Sequence, residues 1–331
     1  MPSATSVTHL ILRVGRSLAV WGLLALASGA RPLLAQAAGE PQRAVLVTGA
    51  SSGIGRSITE LLASRGHFVY AGARTDEDLR ALSAIKNVQG IRLDVTNPAE
   101  IAAAVETVRQ GGRGLYGVVN NAGVAILGPM IETEEEDLAF QFNVNVYGPY
   151  RITKAFAPLI IESKGRITTI GSINGIIAGA LSGPYAMSKF AVEGFTDALA
   201  AEMAGLGVKV SIVDPGRYRS SMSANVLRRW REKNRTTKGS LFEAPYQQMV
   251  TSFDPANESR YPEPTQVAEA VEHALFSAQP KPRYLAAPTA AQSQAALRRS
   301  VEKLVELNRG SLFSLDRAGL VALLDSALAR R

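Results

Sequence analysis

Short apolar, β-branched runs alternate with longer amphipathic stretches from Arg43 onward. The runs predict six buried parallel strands, AVLVTG (44–49), HFVYAGA (67–73), GIRLDV (90–95), LYGVVNNAG (115–123), GRITTIGS (165–172) and VKVSIVDPG (208–216). The stretches between them have helical spacing, as in Ile101, Val105 and Val108. This alternation predicts an α/β fold with a doubly wound parallel sheet, which binds ligands at the carboxyl ends of its strands.

The regular pattern lapses after Pro215-Gly216 and resumes near Pro264. There TQVAEAVEHALFSA predicts a helix and KPRYLAAP a last strand. The final forty residues predict two amphipathic helices joined at Gly310, too short for a domain of their own. We therefore expect a single domain over residues 41–290, with a substrate loop at about 217–263, and a C-terminal helical extension over 291–331.

The first forty residues differ from the rest of the chain. Arg13 and Arg16 precede a 14-residue apolar run over 17–30, and a small-x-small triplet follows at 35–37. This order is typical of a secretory signal peptide, here with cleavage after Ala37. The run is short for a spanning helix, which needs about 20 residues. A retained membrane anchor, or a start placed too far upstream, are the alternatives.

Charge and composition narrow the classes of function. The chain has 331 residues, a net charge of +7 and no cysteine, which excludes disulfides, thiolate metal ligands and a cysteine nucleophile. Between Arg217 and Lys238 eight basic residues face one acid, Glu232, an excess equal to the net charge of the whole chain. The remainder is therefore balanced, which argues against a nucleic-acid-binding protein. We predict no metal site.

The basic stretch contains ANVLRRWREK, in which Val226, Leu227 and Trp230 share one helical side among arginines and a lysine. A basic amphipathic helix of this kind is typical of an anionic membrane surface. The alternative is a solvated lid whose apolar side closes over a substrate pocket. The sequence leaves both interpretations open.

Candidate chemistry begins with PYAMSKF, where Tyr185 stands four residues before Lys189. On a helix these side chains lie on one face. A fixed ammonium lowers the pKa of a neighbouring phenol, which would make the tyrosine a usable proton donor. An isolated pair of this kind is also compatible with two ordinary surface residues, so other motifs have to decide.

The turn after the first strand, VTGASSGIGRSI, places Gly49, Gly53 and Gly55 before a helix. Such a turn lets the backbone approach a pyrophosphate and directs amide groups of a helix N-terminus at negative charge. The second strand ends in AGART, with Arg74 where an NAD site usually presents an acid. A guanidinium there favours the 2′-phosphate of NADP. The alternative is that Arg74 is a solvated loop arginine.

Together these residues resemble the short-chain dehydrogenase/reductase family over roughly residues 43–290. The glycine motif is TGASSGIG, and it is joined by LDVT (93–96), NNAG (120–123), NVYG (145–148) and DPG (214–216). Ser172 precedes Tyr185 by thirteen residues, the separation usual in the family. The resemblance implies a Rossmann fold that binds NAD(P). SKFAVEGFTDAL and PKPRYLAAP are most similar to the branch of hydroxysteroid and retinol dehydrogenases.

The resemblance implies a catalytic tetrad of Asn145, Ser172, Tyr185 and Lys189. Tyr185 would exchange a proton with the substrate oxygen, and Ser172 would hydrogen-bond the same oxygen. Lys189 would hold the nicotinamide ribose and lower the tyrosine pKa toward working pH. Asn145 would hold a water that links Lys189 to solvent.

The family's cofactor contacts are implied by residues of the same motifs. These are Gly49, Ala50, Ser51, Ser52, Gly53, Ile54 and Gly55 at the pyrophosphate, Arg74 at the 2′-phosphate, Asp94 and Val95 at the adenine, Asn121 at the adjacent ribose with Ala122 and Gly123 beside it, Tyr185 and Lys189 at the nicotinamide ribose, and Pro215, Gly216 and Tyr218 beyond. Two positions depart from the family pattern. Arg217 and Tyr218 stand where small or apolar residues are usual, which leaves the width of the pocket open, and Ser220 replaces a threonine.

The implied activity is NADP-dependent interconversion of a secondary alcohol and a ketone, or of an alcohol and an aldehyde, on an apolar substrate that is steroid-, retinoid- or lipid-like. The alternative is an idle nucleotide-binding or scaffold protein on the same fold. Relatives are commonly homodimers or homotetramers. An NADP requirement predicts catalysis in the cytoplasm, which conflicts with export by a cleaved signal.

Overall fold

The computed structural model describes residues 42–329, and at its centre lies a seven-stranded, wholly parallel sheet. The strands are β1 (Ala44–Val47), β2 (Phe68–Ala73), β3 (Val88–Arg92), β4 (Gly117–Asn120), β5 (Arg166–Ile170), β6 (Lys209–Pro215) and β7 (Arg283–Ala286). Their order across the sheet is β3-β2-β1-β4-β5-β6-β7. The order reverses direction between β1 and β4, the place where doubly wound sheets open a crevice for ligands. The predicted fold class is confirmed.

Helices cover both faces of the sheet. In chain order they are α1 (Gly53–Ser64), α2 (Asp76–Ser83), α3 (Pro98–Gln110), α4 (Glu135–Asn145), α5 (Tyr147–Glu162), α6 (Gly183–Ala204), α7 (Met222–Glu232), α8 (Glu243–Ser252), α9 (Thr265–Phe276), α10 (Ala290–Asn308) and α11 (Arg317–Ala329). One apolar core joins α1, α2 and α9 to the sheet, and a second joins α3, α5 and α6 to the opposite face. Because both faces are covered, β1 and β4 are buried at every residue.

Two predicted strands end elsewhere than their apolar runs. The run predicted at 115–123 forms a strand only over Gly117–Asn120. Past that point the chain turns, and the backbone N–H groups of Asn121 and Ala122 both donate to the Thr48 hydroxyl at 3.0 Å. The strand predicted at 90–95 is shifted to Val88–Arg92, because its pairing with β2 ends where Ala73 meets Arg92.

The C-terminal extension consists of the two predicted helices, α10 and α11. The connection between them includes Gly310 at a φ of +74°, a left-handed conformation that glycine adopts without strain. Helix α10 begins at Ala290, earlier than predicted, with the Thr289 hydroxyl as its cap. Its first turn therefore lies against the sheet edge and brings Gln292 to the ligand cavity described below.

The segment predicted as a signal peptide or anchor, residues 1–40, lies outside the described residues. Within residues 42–329 no helix is both long and apolar enough to cross a membrane.

Candidate active site

A cavity of about 770 Å³ opens at the carboxyl edge of the sheet. Most of the residues predicted for the site line it. They are Gly49, Ser51, Ser52, Gly53, Ile54, Gly55, Arg74, Asp94, Val95, Asn121, Ala122, Gly123, Ser172, Tyr185, Lys189, Pro215, Gly216 and Tyr218. Residues as far apart along the chain as Gly49 and Gln292 thus line one cavity, because the ends of parallel strands meet at one edge.

Two predicted residues do not line the cavity. Ala50 is fully buried in the core, and its backbone N–H donates to the carbonyl of Gly72. Its place in the glycine motif is therefore structural, which corrects the predicted cofactor contact. Asn145 is also buried behind the cavity wall, and its side chain is occupied by the backbone of Val124 and the Ser188 hydroxyl.

In the glycine turn between β1 and α1, the backbone adopts a conformation and makes contacts that only glycine permits. Gly49 has a φ of +64°, and a Cβ on Gly55 would stand 2.2 Å from the Gly49 carbonyl oxygen. The amide of Asn121 fixes the same turn by donating to the carbonyls of Thr48 and Gly49 at 2.8 and 3.0 Å. Asn121 is thus a positioning residue for the turn as well as part of the wall.

The first turn of α1 suits an anion. Ser52 stands at the N-terminus in an extended conformation, and its side chain makes no capping bond to the helix. The amide groups of that turn therefore face the cavity, with the positive end of the helix dipole behind them. The close backbone of Gly49 and Gly55 leaves room at this point for the pyrophosphate of a dinucleotide.

Arg74 follows β2 at the far end of the cavity. Its side chain is 69% exposed, and its only carboxylate partner, within the described part of the chain, is Asp94 at 3.9 Å. Asp76 is drawn away from the cavity by an ion pair with Arg92. Asp78 was not predicted, but it also lines the cavity, and its backbone N–H donates to the Thr75 hydroxyl that caps α2.

Ser172, Tyr185 and Lys189 meet beside β5. Tyr185 and Lys189 lie on one face of α6 and are each less than a tenth exposed. The Lys189 ammonium donates to the Ile170 carbonyl at 2.8 Å and lies 5.7 Å from the centre of the Tyr185 ring. Ser172 acts on the Tyr185 hydroxyl from the turn after β5. The three side chains therefore share one part of the cavity wall, and the roles predicted for them stay predictions.

A buried polar network behind this wall aligns α6 with the strand ends. Ser188 is fully buried, accepts hydrogen bonds from the amides of Gln141 and Asn145, and donates to the Tyr185 carbonyl at 2.8 Å. Both amides also donate to the Val124 carbonyl at 2.9 Å. Gln141 and Ser188 were not predicted. Their spacing was informative, since Ser188 stands three residues after Tyr185 and Gln141 four before Asn145, which places each pair on one helix face.

Burial governs the acid-base properties of the pair. Burial raises the pKa of Tyr185 to about 12, the hydrogen bond from Ser172 opposes that rise, and Asp214 adds to it. Burial lowers the pKa of Lys189 to about 8, against the attraction of Asp214 and Glu193. The predicted lowering of the tyrosine pKa by Lys189 is therefore not found. Removal from water is the largest cause of the shift, and Tyr185 carries its proton at neutral pH.

The buried carboxyl group of Asp214 accepts a hydrogen bond from the Ser172 backbone. Asp214, fully buried at the end of β6, accepts the Ser172 backbone N–H at 3.1 Å, and a Cβ on Gly171 would collide with it at 2.1 Å. Burial raises the pKa of Asp214, the neighbouring Glu193 raises it further, and Arg283 opposes both. Asp214 belongs to the DPG motif, but its contact with the turn after β5 was not predicted, because the two residues are 42 positions apart.

The segment over residues 217–263, predicted as the substrate loop and called the lid below, contains α7 and α8. The apolar side of α7 faces inward, where the Trp230 indole donates to the Tyr246 hydroxyl at 3.3 Å. Arg229 of α7, with Lys233 and Arg235 just beyond the end of that helix, forms ion pairs with Asp137, whose side chain is 2% exposed. The Ser221 hydroxyl donates to Ser52 of the glycine turn at 2.6 Å. These contacts favour the lid interpretation over the membrane-surface helix.

Arg217 and Tyr218, which depart from the family pattern after Pro215-Gly216, make different contacts. The Tyr218 side chain packs in the core and donates to Gln266 at 2.6 Å, while the residue also borders the cavity. The backbone N–H of Arg217 donates to Gln292 of α10 at 2.9 Å. Gln292 was not predicted as a site residue, because it stands 75 positions later in the extension.

Curated relatives share most of this chain. It is 35% identical over 272 residues to the mitochondrial D-beta-hydroxybutyrate dehydrogenase of Rattus norvegicus, covering 77% of this chain and 79% of the relative. It is also 35% identical over 255 residues to retinol dehydrogenase 5 of Mus musculus, covering 72% and 79%.

Solved structures and a family model agree with these relatives. A short-chain dehydrogenase from Streptomyces avermitilis is 27% identical with a TM-score of 0.65, covering 82% of this chain and 99% of that one. An actinorhodin polyketide ketoreductase with NADPH is 29% identical with a TM-score of 0.63, covering 76% and 97%. The family model for short chain dehydrogenases matches residues 43–231. The chain therefore belongs to the short-chain dehydrogenase/reductase family and is an oxidoreductase that acts on CH–OH groups.

Proposed function

We propose that this protein is an NADP-dependent oxidoreductase that interconverts a secondary alcohol and a ketone, or an alcohol and an aldehyde, on a bulky apolar substrate. The observation that carries the proposal is the group formed by Ser172, Tyr185 and Lys189 on the wall of a cavity that also holds the glycine turn. The substrate side of that cavity is apolar, with Leu127, Phe140 and Met249 in its lining. Relatives named for hydroxybutyrate and for retinol support an alcohol as substrate.

In this proposal the chain's own groups hold the substrate oxygen and move its proton. Bound nicotinamide supplies or accepts the hydride. The Ser172 hydroxyl orients the substrate oxygen, and Tyr185 donates its proton to that oxygen during reduction. The Lys189 ammonium, held by Ile170, holds the nicotinamide ribose and stabilises the phenolate that Tyr185 leaves behind. Asn145 positions the cavity wall through its hydrogen bonds with the Val124 backbone. Because those bonds occupy its side chain, a water held by Asn145 would contact the Asn145 backbone.

Activity itself is tested by a turnover screen of the purified protein. NADPH is offered with ketones and aldehydes, and NADP with secondary alcohols, each graded by size. We expect turnover that rises with the apolar bulk of the substrate. The rival hypothesis is an idle nucleotide-binding or scaffold protein, and it predicts cofactor binding without turnover in any arm of the screen.

Cofactor preference is tested at Arg74. Arg74→Ala should weaken NADP binding by roughly ten- to hundredfold, because a hydrogen-bonded charge partner of the 2′-phosphate is lost. NAD binding should be nearly unchanged, since its ribose lacks that phosphate. Both affinities are measured by titration calorimetry. Arg80→Ala, an exposed change on α2 outside the cavity lining, controls for the loss of one positive charge. Equal losses for NADP and NAD would make Arg74 structural.

The pH dependence of reduction should follow Lys189. With a pKa of about 8, the lysine is a cation below that pH and neutral above it. Only the cation stabilises the phenolate formed at Tyr185, so kcat/KM for ketone reduction should fall as pH rises through about 8. Tyr185, with a pKa of about 12, stays protonated over this range.

Initial rates of ketone reduction between pH 6 and 10 test this pH dependence. Lys189→Arg, slower overall, should lose the decline because its charge persists. A flat wild-type profile would contradict the assignment.

Assembly into a homodimer or homotetramer is part of the proposal. It is supported by Tyr147 and Tyr150 of α5, which are 54% and 48% exposed on neighbouring turns. Light scattering coupled to size exclusion measures the mass in solution. Catalysis in the compartment that holds NADP follows from the proposed cofactor.

A further inference from the structure

The side chain of Arg217 lines the cavity from the lid side. Its guanidinium carbon lies 4.2 Å from the ring centre of Tyr261 and 5.0 Å from that of Phe253. One of its N–H groups donates to the Ser252 carbonyl at 3.1 Å. Two aromatic faces and one hydrogen bond thus fix the cation in place.

This cation has no carboxylate partner among the residues that the structure describes. Between residues 42 and 329 no carboxylate lies within ion-pair distance of Arg217. A guanidinium has five N–H groups, and among the described residues only one of them has a protein acceptor. A half-buried cation among aromatic rings gives up part of its hydration, and a bound anion would restore that interaction.

The sheet order separates Arg217 from the adenosine end of the site. Arg217 follows β6, whereas Arg74 follows β2, and four strand spacings of about 4.8 Å place these ends about 19 Å apart. The described carboxylates in the lining, Asp78 and Asp94, both lie near the Arg74 end. The cavity therefore has an uncompensated positive charge at its substrate end.

Arg217 also lies near the proposed reacting group. Asp214, which accepts the Ser172 backbone N–H, precedes it by three residues, a span of at most about 10 Å of chain. A substrate whose oxygen contacts Ser172 and Tyr185 can therefore reach Arg217 with a group several bonds away. Leu127, Phe140 and Met249 are among the apolar side chains of the cavity lining that such a substrate can contact.

We propose that Arg217 binds a carboxylate on the substrate, so that the enzyme acts on oxo acids and hydroxy acids whose apolar chain separates the carboxylate from the reacting carbon. This inference rests on the proposed function for the position of the reacting oxygen. A guanidinium matches the planar, bidentate geometry of a carboxylate. The competing role is structural, in which Arg217 only pins the lid through Ser252 and the two rings.

The test compares oxo acids of graded chain length with their methyl esters. At neutral pH with NADPH, the wild-type enzyme should show a kcat/KM for the best acid that exceeds that for its ester by about ten- to hundredfold, the range of one charge-assisted contact. Arg217→Met keeps an apolar stem and should abolish that preference, because kcat/KM for the acid falls much further than kcat/KM for the ester. Arg217→Lys should retain part of it, because the charge remains but the planar fork does not. Arg219→Met, on the same segment but exposed and outside the lining, should leave the ratio unchanged.

Each alternative gives a different result. Equal losses for acid and ester in Arg217→Met would assign Arg217 to the lid and overturn the proposal, as would a wild-type enzyme that prefers esters. Calorimetric binding of octanoate and octanamide, with NADP present, supplies a readout without turnover. Octanoate binding that disappears in Arg217→Met supports the carboxylate site even if no oxo compound is reduced, a result that would reject only the proposed function. Failure of octanoate to bind more tightly than octanamide would overturn the inference.

Discussion

Tyr185→Phe should lower kcat for carbonyl reduction by about two to four orders of magnitude, the usual contribution of a positioned general acid. The phenol of Tyr185 is protonated at neutral pH because burial raises its pKa to about 12. Phenylalanine removes the transferable proton and leaves the ring in place. The fold and the affinity for NADP should therefore be preserved.

The measurement is single-turnover reduction under saturating NADPH, with calorimetric NADP affinity and the melting temperature recorded in parallel. Tyr284→Phe is the matched control. Tyr284 is 8% exposed, as Tyr185 is, but its hydroxyl contacts His273 and the Lys281 backbone outside the cavity lining. Its kcat should remain at the wild-type level. A Tyr185→Phe enzyme with near-normal turnover would remove the tyrosine from the mechanism.

Asp137→Asn should release the lid. The carboxylate is buried and neutralised by Arg229, Lys233 and Arg235, and removing one partner of a buried ion pair costs about 3–5 kcal/mol. Asparagine keeps the shape of the side chain. The lost ion-pair energy should therefore weaken the packing of α7 against the domain without destabilising the sheet. Amide hydrogen exchange over residues 222–252 should accelerate by two or more orders of magnitude, and KM should rise.

Glu232→Gln is the control for this prediction. Glu232 pairs with Arg228 on the exposed side of the same helix, at 2.7 Å, and surface pairs contribute at most about 1 kcal/mol. Amide hydrogen exchange over residues 222–252 in Glu232→Gln should match that of the wild type. Unchanged exchange in Asp137→Asn would show that the lid is held by its apolar contacts, such as Trp230 against Tyr246, and that the ion pairs are incidental.

Much of the fold followed from local sequence. β2 was predicted at 67–73 and lies at Phe68–Ala73, because a run buried on both faces has to be continuously apolar. The prediction extended β4 to residue 123, since apolar and small residues continue past Asn120. Backbone bonds to Thr48, which come from the glycine turn, decide where that strand ends.

The sequence by itself determined the chemistry that depends on short spacing. Tyr185 and Lys189 share a helix face because they are four residues apart, and the glycine turn needs Gly49 and Gly55 because their backbones touch. Local periodicity and close backbone approach can both be deduced from neighbouring residues. The parallel sheet and its ligand-binding edge follow from the same rules, whereas most of the predicted lining was implied by the family resemblance.

Only the tertiary structure decided the groups whose partners are far along the chain. Arg229 and Arg235 meet Asp137 across 92 and 98 positions, Arg217 is held between Phe253 and Tyr261, and Asp214 supports Ser172 from the next strand. The pKa of Tyr185 was likewise decided only by the tertiary structure. Its direction is set by how completely α6 and the strand ends remove the phenol from water, and desolvation is a property of the packed molecule that residue spacing does not encode.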